Sequence, residues 1–162
     1  MLLAIATLFI ATALPQAAPP QNCPADITQN VWDPKFLPGQ HWSYHNRSID
    51  YGSTLTISKI DDVPGIGIVI HIWVNHLDFV DKPGSAGGHN FIDRFISIRR
   101  DSLDSSVNTL LGTVDIPDLP PHFYSSWQQD CRSLTASDTV ADTLQAVHER
   151  IEAGKHSEHK QQ

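Results

Sequence analysis

The sequence predicts an α+β domain, with a four-stranded antiparallel sheet followed by three helices packed on one face. Apolar and polar residues alternate in several segments between residues 41 and 98, as they do in half-buried strands. From residue 101 onward, apolar residues instead recur at three- and four-residue spacing, which is typical of amphipathic helices. A run of strands followed by a run of helices is the element order of the α+β class.

The four strands are predicted from their alternation and from one turn. The longest apolar run, residues 66–76, is the third strand, and its isoleucine side is expected to face the core. Pro64 and Gly65 before it fit the central positions of a type II turn, so the second and third strands should form a hairpin. The other three strands are predicted at residues 41–46, 53–60 and 90–98.

Three helices are predicted after the strands. The first is expected to start at Asp101 or Ser102 and to end at Gly112. The second starts at Pro120-Pro121, and the third follows Thr135-x-x-Asp138, which resembles a capping box, and ends at Gly154. Apolar residues at helical spacing support them: Leu103, Val107, Leu110 and Leu111; Phe123, Trp127 and Cys131; Val140, Leu144, Val147 and Ile151.

The two ends of the chain are predicted to lie outside the domain. Residues 1–22 carry no charged side chain, and their apolar run at 2–14 has the length of a signal-peptide core but is too short to span a bilayer. A positively charged start is missing, and a buried N-terminal helix is the alternative. Residues 23–154 are predicted to form a single secreted domain, and the polar residues 155–162 a disordered tail.

Charge and cysteine content narrow the setting and the partners. The net charge of −7 and the lack of a Lys/Arg stripe argue against binding to nucleic acids or anionic membranes. Two cysteines in an exported chain predict one disulfide, Cys23–Cys131, although two free thiols are the alternative. We expect a periplasmic or secreted protein with no membrane insertion after signal cleavage.

The chain lacks the common catalytic motifs. It has no Gly-x-Ser-x-Gly, no His-Glu-x-x-His and no paired Cys-x-x-Cys, although it has nine histidines. Asp61 and Asp62 are neighbours whose side chains would point opposite ways on a strand end, so we interpret them as turn residues. We therefore expect no catalytic residue, no metal ion and no cofactor.

The third strand carries the clearest candidate binding residues. Its second parity holds Val69, His71 and Trp73, which would meet water or a partner if the helices cover the other face. The long segment 77–89 follows and ends in His89. His71, Trp73 and His89 are thus predicted to bind, unless an N-terminal lead carrying Trp32 and Phe36 folds over that face.

Two functions follow from these patterns. The first is a non-enzymatic binding module with a protein partner, such as an inhibitor or an immunity-type protein. The alternative is a small-ligand or metal-binding protein, or a hydrolase, that uses His71, His89 and Asp93, with His41 or His45 as further candidates.

Four short motifs resemble a group of small uncharacterised secreted bacterial proteins. They are Trp42-x-Tyr44, Ser53-Thr54-Leu55-Thr56-Ile57, Ile68-Val69-Ile70-His71-Ile72 and Tyr124-x-x-Trp127. The resemblance implies a bacterial, periplasmic or secreted setting. It implies no activity, and no residue acquires a catalytic role from it.

Overall fold

The computed structural model describes residues 23–78 and 91–158. Within these residues the chain forms seven β-strands, four α-helices and a short 3-10 turn at Ser48–Asp50. The strands are β1 (Thr28–Gln29), β2 (Gln40–Tyr44), β3 (Thr54–Val63), β4 (Gly67–Asp78), β5 (Phe91–Arg99), β6 (Val107–Thr113) and β7 (Thr135–Ala136). The helices are α1 (Arg100–Ser106), α2 (Pro121–Gln129), α3 (Cys131–Leu134) and α4 (Val140–Glu158).

All the strands belong to one sheet. Its order is β6-β2-β3-β4-β5-β7, and β1 pairs with the far end of β3. Every pairing is antiparallel except that of β5 with β7, which is parallel. The mixed helix-and-sheet class is as predicted, but the prediction of four strands is wrong. Strands β1, β6 and β7 are not predicted from the sequence, because β1 and β7 are two residues long and the leucines of β6 have helical spacing.

The first predicted helix is wrong in its second half. Helix α1 ends at Ser106, and the next residue begins β6. This strand pairs with β2, placing Val107 opposite Tyr44 and Leu110 opposite Trp42. Backbone hydrogen bonds of the sheet therefore replace those that the helical spacing of the leucines had suggested, which is a tertiary override of a weak local preference.

The last helix begins and ends later than predicted. Its first turn is capped by Thr139, whose hydroxyl oxygen accepts a hydrogen bond from the backbone N–H of Asp142 at 3.2 Å. Thr135, the predicted cap, lies in β7 instead. The helix continues past Gly154 to Glu158, within the predicted disordered tail, and residues 159–162 lie outside the described part, as does the predicted signal peptide. None of the described helices is both long and apolar enough to cross a membrane.

One face of the sheet, here called the isoleucine face, carries the larger core. Leu103 of α1 and Val140 and Leu144 of α4 pack against it. The isoleucine side of the third predicted strand faces this core, as expected. The buried side chains of the face come from neighbouring strands: Leu55, Ile57 and Ile60 of β3, Ile70, Ile72 and Val74 of β4, and Ile96 and Ile98 of β5.

The opposite face, here called the His71 face, is also covered. Trp127 of α2 and Cys131 of α3 pack there against Val63 and Val69. The predicted disulfide between Cys23 and Cys131 is present, with 5.3 Å between the two Cα atoms, and it joins the start of the domain to α3. Helices therefore lie on both faces of the sheet, and the prediction that they pack on one face is wrong.

Candidate functional site

A β-bulge in β3 determines which side chains reach the His71 face. The pairing of β3 with β4 shifts between Ile57 and Lys59, so that one extra residue is accommodated. Without it, Lys59 and Asp61 would share the parity of Ile57 and point into the isoleucine core. The bulge turns both to the other face, where Lys59 lies opposite His71 on β4, and His71 in turn lies opposite Ser97 on β5.

Asp61 is a fully buried carboxylate that gathers donors from four parts of the chain. Its Oδ2 accepts hydrogen bonds from the Tyr124 hydroxyl at 2.6 Å and from His71 Nε2 at 3.2 Å. Lys59 Nζ lies 3.3 Å from the same oxygen. Its Oδ1 accepts from the backbone N–H of Asn30 at 3.1 Å. Both oxygens are thus engaged, as a buried charge requires.

The contacts of His71 define its tautomer. Because the Asp61 carboxylate only accepts, Nε2 must carry the proton that it donates there. Nδ1 is then the acceptor for the hydroxyl of Ser97, 2.8 Å away. We refer to Lys59, Asp61, His71, Ser97 and Tyr124 together as the Asp61 network.

Burial controls the protonation of the network. Three aromatic rings of α2 lie edge-on to His71, and Trp127 is the nearest at 4.5 Å between ring centroids. Burial lowers the pKa of His71, and this outweighs the opposing effect of Asp61. Burial alone would raise the pKa of Asp61, but the hydrogen bonds from His71 and Tyr124 hold it below its usual range. At neutral pH the pair is therefore a carboxylate beside a neutral imidazole.

The other two ionisable members respond to the same carboxylate. Burial and the neighbouring Asp61 both raise the pKa of Tyr124, so its hydroxyl stays protonated and donates. Burial lowers the pKa of Lys59, although Asp61 opposes this. The Lys59 ammonium also lies 3.7 Å from the centre of the Tyr124 ring, a cation–π contact. The hydrogen bond and the cation–π contact of Tyr124 therefore attach α2 to the sheet, in addition to apolar packing.

A cleft lies beside the Ser97 end of the network. It has a volume of about 580 Å³, opens to solvent, and is lined by residues of β5, α2, α3, β7 and α4. Its wall is largely apolar, with Phe95, Phe123, Leu134 and Val147 among the lining residues. We refer to it as the α2–α4 cleft.

The polar part of the cleft wall connects it to the network. Ser97 and Thr135 line the cleft beside Trp127. The hydroxyl of Thr135 accepts a hydrogen bond from the Trp127 indole N–H at 2.9 Å, and Ser97 bonds to His71. The inner wall is therefore held in place by hydrogen bonds that run back to Asp61.

The structure places the predicted binding residues differently from the expectation of an exposed stripe. His71 and Val69 are fully buried, and only Trp73 is half-exposed, with its ring stacked on that of Phe95 at 6.5 Å. Helix α2 covers this face together with Cys23 and Ile27 of the N-terminal lead, and not with the two aromatic residues expected there. Trp32 of the lead is 76% exposed, and Phe36 packs on the isoleucine face.

The alternative site around His71, His89 and Asp93 does not assemble in the described part of the chain. His89 and most of the segment 77–89 lie outside it. Asp93 is exposed and accepts a hydrogen bond from the backbone N–H of His76. His41 contacts Thr56, and His45 is exposed. Among the residues described, no group of three or more His, Cys, Asp or Glu side chains is placed to hold a metal ion.

Sequence patterns predict a functional role for only one member of the network, His71. Asp61 was interpreted as a turn residue, but β3 continues through it to Val63, and only its neighbour Asp62 is exposed. Ser97 was not singled out, and Tyr124 entered only through the resemblance. One signal was present: an aspartate pair at the end of an apolar strand places one carboxylate on each face, and the buried one requires partners.

Comparison with protein-family models, curated proteins and solved structures finds no match to this chain. The geometry of the site therefore carries the functional conclusion.

Proposed function

We propose that this protein is a non-enzymatic binding protein whose ligand occupies the α2–α4 cleft. The cleft itself is the observation that carries this proposal. Its volume of about 580 Å³ is within the usual range for sites that bind small molecules, roughly 300–1,000 Å³. An apolar wall with a few fixed hydroxyl groups is also the usual composition of such sites.

The ligand is a small, partly apolar molecule. Phe95 and Phe123 offer ring faces and edges to an apolar body, with their ring centroids 5.7 Å apart. This replaces the expectation of a protein-binding stripe, because two members of that stripe are buried. The alternative is a protein partner, which would contact the half-exposed Trp73. The disulfide supports a periplasmic or secreted setting, where such bonds persist.

Filling the cleft tests the proposal. N-phenyl-1-naphthylamine is a neutral dye that fluoresces in apolar sites, and it serves as the probe. Ala146 is an exposed residue of α4 that lines the cleft, whereas its neighbour Gln145 is exposed and does not line it. Ala146→Phe should weaken dye binding by about tenfold, because its ring occupies space in the cleft. A tenfold change corresponds to about 1.4 kcal/mol of binding free energy.

The matched control is Gln145→Phe, which adds the same ring to the same helix outside the cleft. It should leave dye binding unchanged. A wild-type protein that does not bind the dye, or two variants that bind it equally, would overturn the proposal. Far-UV circular dichroism of both variants verifies that α4 is intact.

A hydrolase is the second candidate, because one observation favours it. The hydrogen bonds from Ser97 to His71 and from His71 to Asp61 have the order of a serine nucleophile, its base and the carboxylate that orients the base. Ser97 would attack a carbonyl carbon while His71 Nδ1 accepts its proton. Against this, Ser97 is only 2% exposed, so a substrate has little access to its oxygen.

Covalent labelling separates the two candidates. A fluorophosphonate probe reacts with activated serines, and Ser97→Ala removes the only oxygen in question. Ser126→Ala is the control, because Ser126 lies on α2 and also lines the cleft but does not belong to the Asp61 network. We expect no labelling of the wild type. Labelling that is lost in Ser97→Ala and kept in Ser126→Ala would establish the hydrolase instead.

A further inference from the structure

Arginines are concentrated around the cleft in an otherwise acidic protein. The chain has a net charge of −7 and only six arginines. Two of them, Arg94 and Arg150, line the α2–α4 cleft, and two more, Arg99 and Arg132, line a smaller cavity of about 240 Å³. We refer to this smaller cavity as the arginine pocket; its lining residues are Gly65, Ile66, Arg99, Arg132, Thr135 and Ser137.

The two cavities share lining residues at and beside β7, an edge strand of the sheet. Thr135 and Ser137 line both of them. Ser97, which lines the cleft, and Arg99, which lines the pocket, are two residues apart on β5 and point to the same face. The cleft and the pocket are therefore neighbours, close enough for one ligand to be tested against both.

Both guanidinium groups of the pocket are positioned by neighbouring structure. A Cβ atom added at Gly65 would lie 3.3 Å from Nη2 of Arg132, so this guanidinium packs against the β3–β4 turn. Gly65 has a φ of +78°, which the turn requires and which favours glycine. Nε of Arg99 donates to Asp101 at 3.3 Å, which restrains the side chain.

We infer that the arginine pocket binds an anionic group, a carboxylate or a phosphate, at one end of a ligand whose apolar part occupies the cleft; this rests on the proposed function. Guanidinium groups bind such oxyanions through paired N–H donors. The hydroxyls of Thr135 and Ser137 add short-range donors at the junction. Among the residues described, Asp101 is an opposing charge beside Arg99, and Asp138 is one that lines the cleft.

Competition with N-phenyl-1-naphthylamine tests the inference. Octanoate, octyl phosphate and 1-octanol share one apolar chain and differ in the end group. On the wild-type protein at low ionic strength, the anionic compounds should displace the dye at concentrations about three- to tenfold lower than 1-octanol. The better competitor of the two anions identifies carboxylate or phosphate as the preferred group.

Variants assign the effect to the pocket. In Arg99→Gln/Arg132→Gln, and to a smaller degree in each single variant, the advantage of the anions over 1-octanol should fall below about twofold. Lys35→Gln is the control, because it removes one positive charge at an exposed residue that lines neither cavity. This variant should keep the advantage of the anions over 1-octanol. The displacement of the dye by 1-octanol should be the same in all of them.

Three outcomes would overturn the inference. Equal displacement by all three compounds on the wild type would remove the anionic group while leaving the proposed function in place. Loss of the advantage in Arg150→Gln, with the double variant unaffected, would place the anion in the cleft and not in the arginine pocket. A wild-type protein that does not bind the dye would overturn the proposed function together with the inference.

Discussion

The two faces of the sheet are built on opposite principles. On the isoleucine face, Ile70 and Ile72 of β4 belong to one apolar cluster with Leu103 of α1 and Leu144 of α4. The His71 face holds a buried carboxylate, a neutral imidazole and two hydroxyls under the aromatic rings of α2. The first face is stabilised mainly by buried apolar surface area, which falls in proportion to the atoms removed. The second face depends on complete pairing of its polar groups, so the loss of one partner leaves another group unsatisfied.

The difference lies in how each face is specified. Neighbours on one strand specify which side chains β4 contributes to the isoleucine face, because these follow from the alternation within residues 68–74. The Asp61 network draws Asp61, His71, Ser97 and Tyr124 from four separate parts of the chain, and the backbone N–H of Asn30 in the lead donates to it. The network forms only when the β3 bulge is present and when both α2 and the N-terminal lead are docked on the sheet. We therefore expect the His71 face to respond more sharply to single changes.

Removal of the central carboxylate should have the largest effect. Asp61→Ala leaves the fully buried His71 imidazole and the half-buried Tyr124 hydroxyl without their acceptor. We expect the free energy of unfolding to fall by about 3–5 kcal/mol, as when one partner of a buried charged pair is removed. Urea denaturation measures the loss.

The adjacent aspartate provides the control for this change. Asp62 is exposed on the opposite side of the same strand, so Asp62→Ala should change the stability by no more than about 0.5 kcal/mol. Similar losses for the two variants would mean that the His71 face tolerates unpaired polar groups, and the contrast between the faces would fail.

Reduction of the disulfide should have the next largest effect and should act on one face. Cys23 and Cys131 lie in the cluster on the His71 face, with Trp127. Replacing both cysteines with serine should lower the stability by about 2–4 kcal/mol. Hydrogen exchange should increase in α2 and α3, while the central pairing of β3 with β4 stays protected.

Uniform loss of protection across the sheet would contradict this, because it would mean that the disulfide stabilises the domain as a whole. Wild-type protein treated with a reductant is the matched sample, since it has the same bond broken without a change of sequence.

The sequence predicts the features that depend on local patterns and does not predict those that depend on contacts between distant segments. The alternation of Ile68, Ile70 and Ile72 is a local pattern, and the isoleucine core was predicted from it. The type II turn at Pro64 and Gly65 was likewise a local signal, and the hairpin that it predicted is present. The disulfide followed from having two cysteines in all.

The remainder required contacts that no local pattern shows. A bulge of one residue reverses the parity of Lys59 and Asp61, and strict alternation along β3 gives no sign of it. Pairing with β2 turned the second half of a helical pattern into β6. The cover of His71 depends on where α2 docks, and the α2–α4 cleft depends on the spacing of two helices that are distant in sequence.

Loss of a single hydroxyl tests whether the network depends on each bond. Tyr124→Phe removes the 2.6 Å hydrogen bond to Asp61 and keeps the ring that contacts His71 and Lys59. We expect a loss of about 1–3 kcal/mol, which is typical of a hydrogen bond to a charged group. Tyr51→Phe is the control, because Tyr51 is 91% exposed and should change little. Equal stability of Tyr124→Phe and the wild type would mean that water or another donor replaces the hydroxyl.

The smallest expected effect is a dependence of stability on pH that originates at His71. The folded state holds the pKa of His71 below its ordinary value of 6.5. Below pH 6.5 the unfolded chain therefore binds a proton that the folded protein does not bind, and the free energy of unfolding falls as the pH falls. One such group changes it by at most about 1.4 kcal/mol per pH unit.

The pH window separates His71 from the carboxylates. Asp61 and Asp33 have a pKa lowered from 3.8, so their contributions are lost only as the pH falls below about that value. Urea denaturation at pH 7.5, 6.5 and 5.5 therefore isolates the imidazole. His71→Gln should flatten the decline relative to the wild type, whereas His122→Gln, at an exposed position on α2, should preserve it. A wild-type stability that is constant or rises toward pH 5.5 would show that His71 accepts a proton in the folded state, and the face would then hold an ion pair in place of a neutral imidazole.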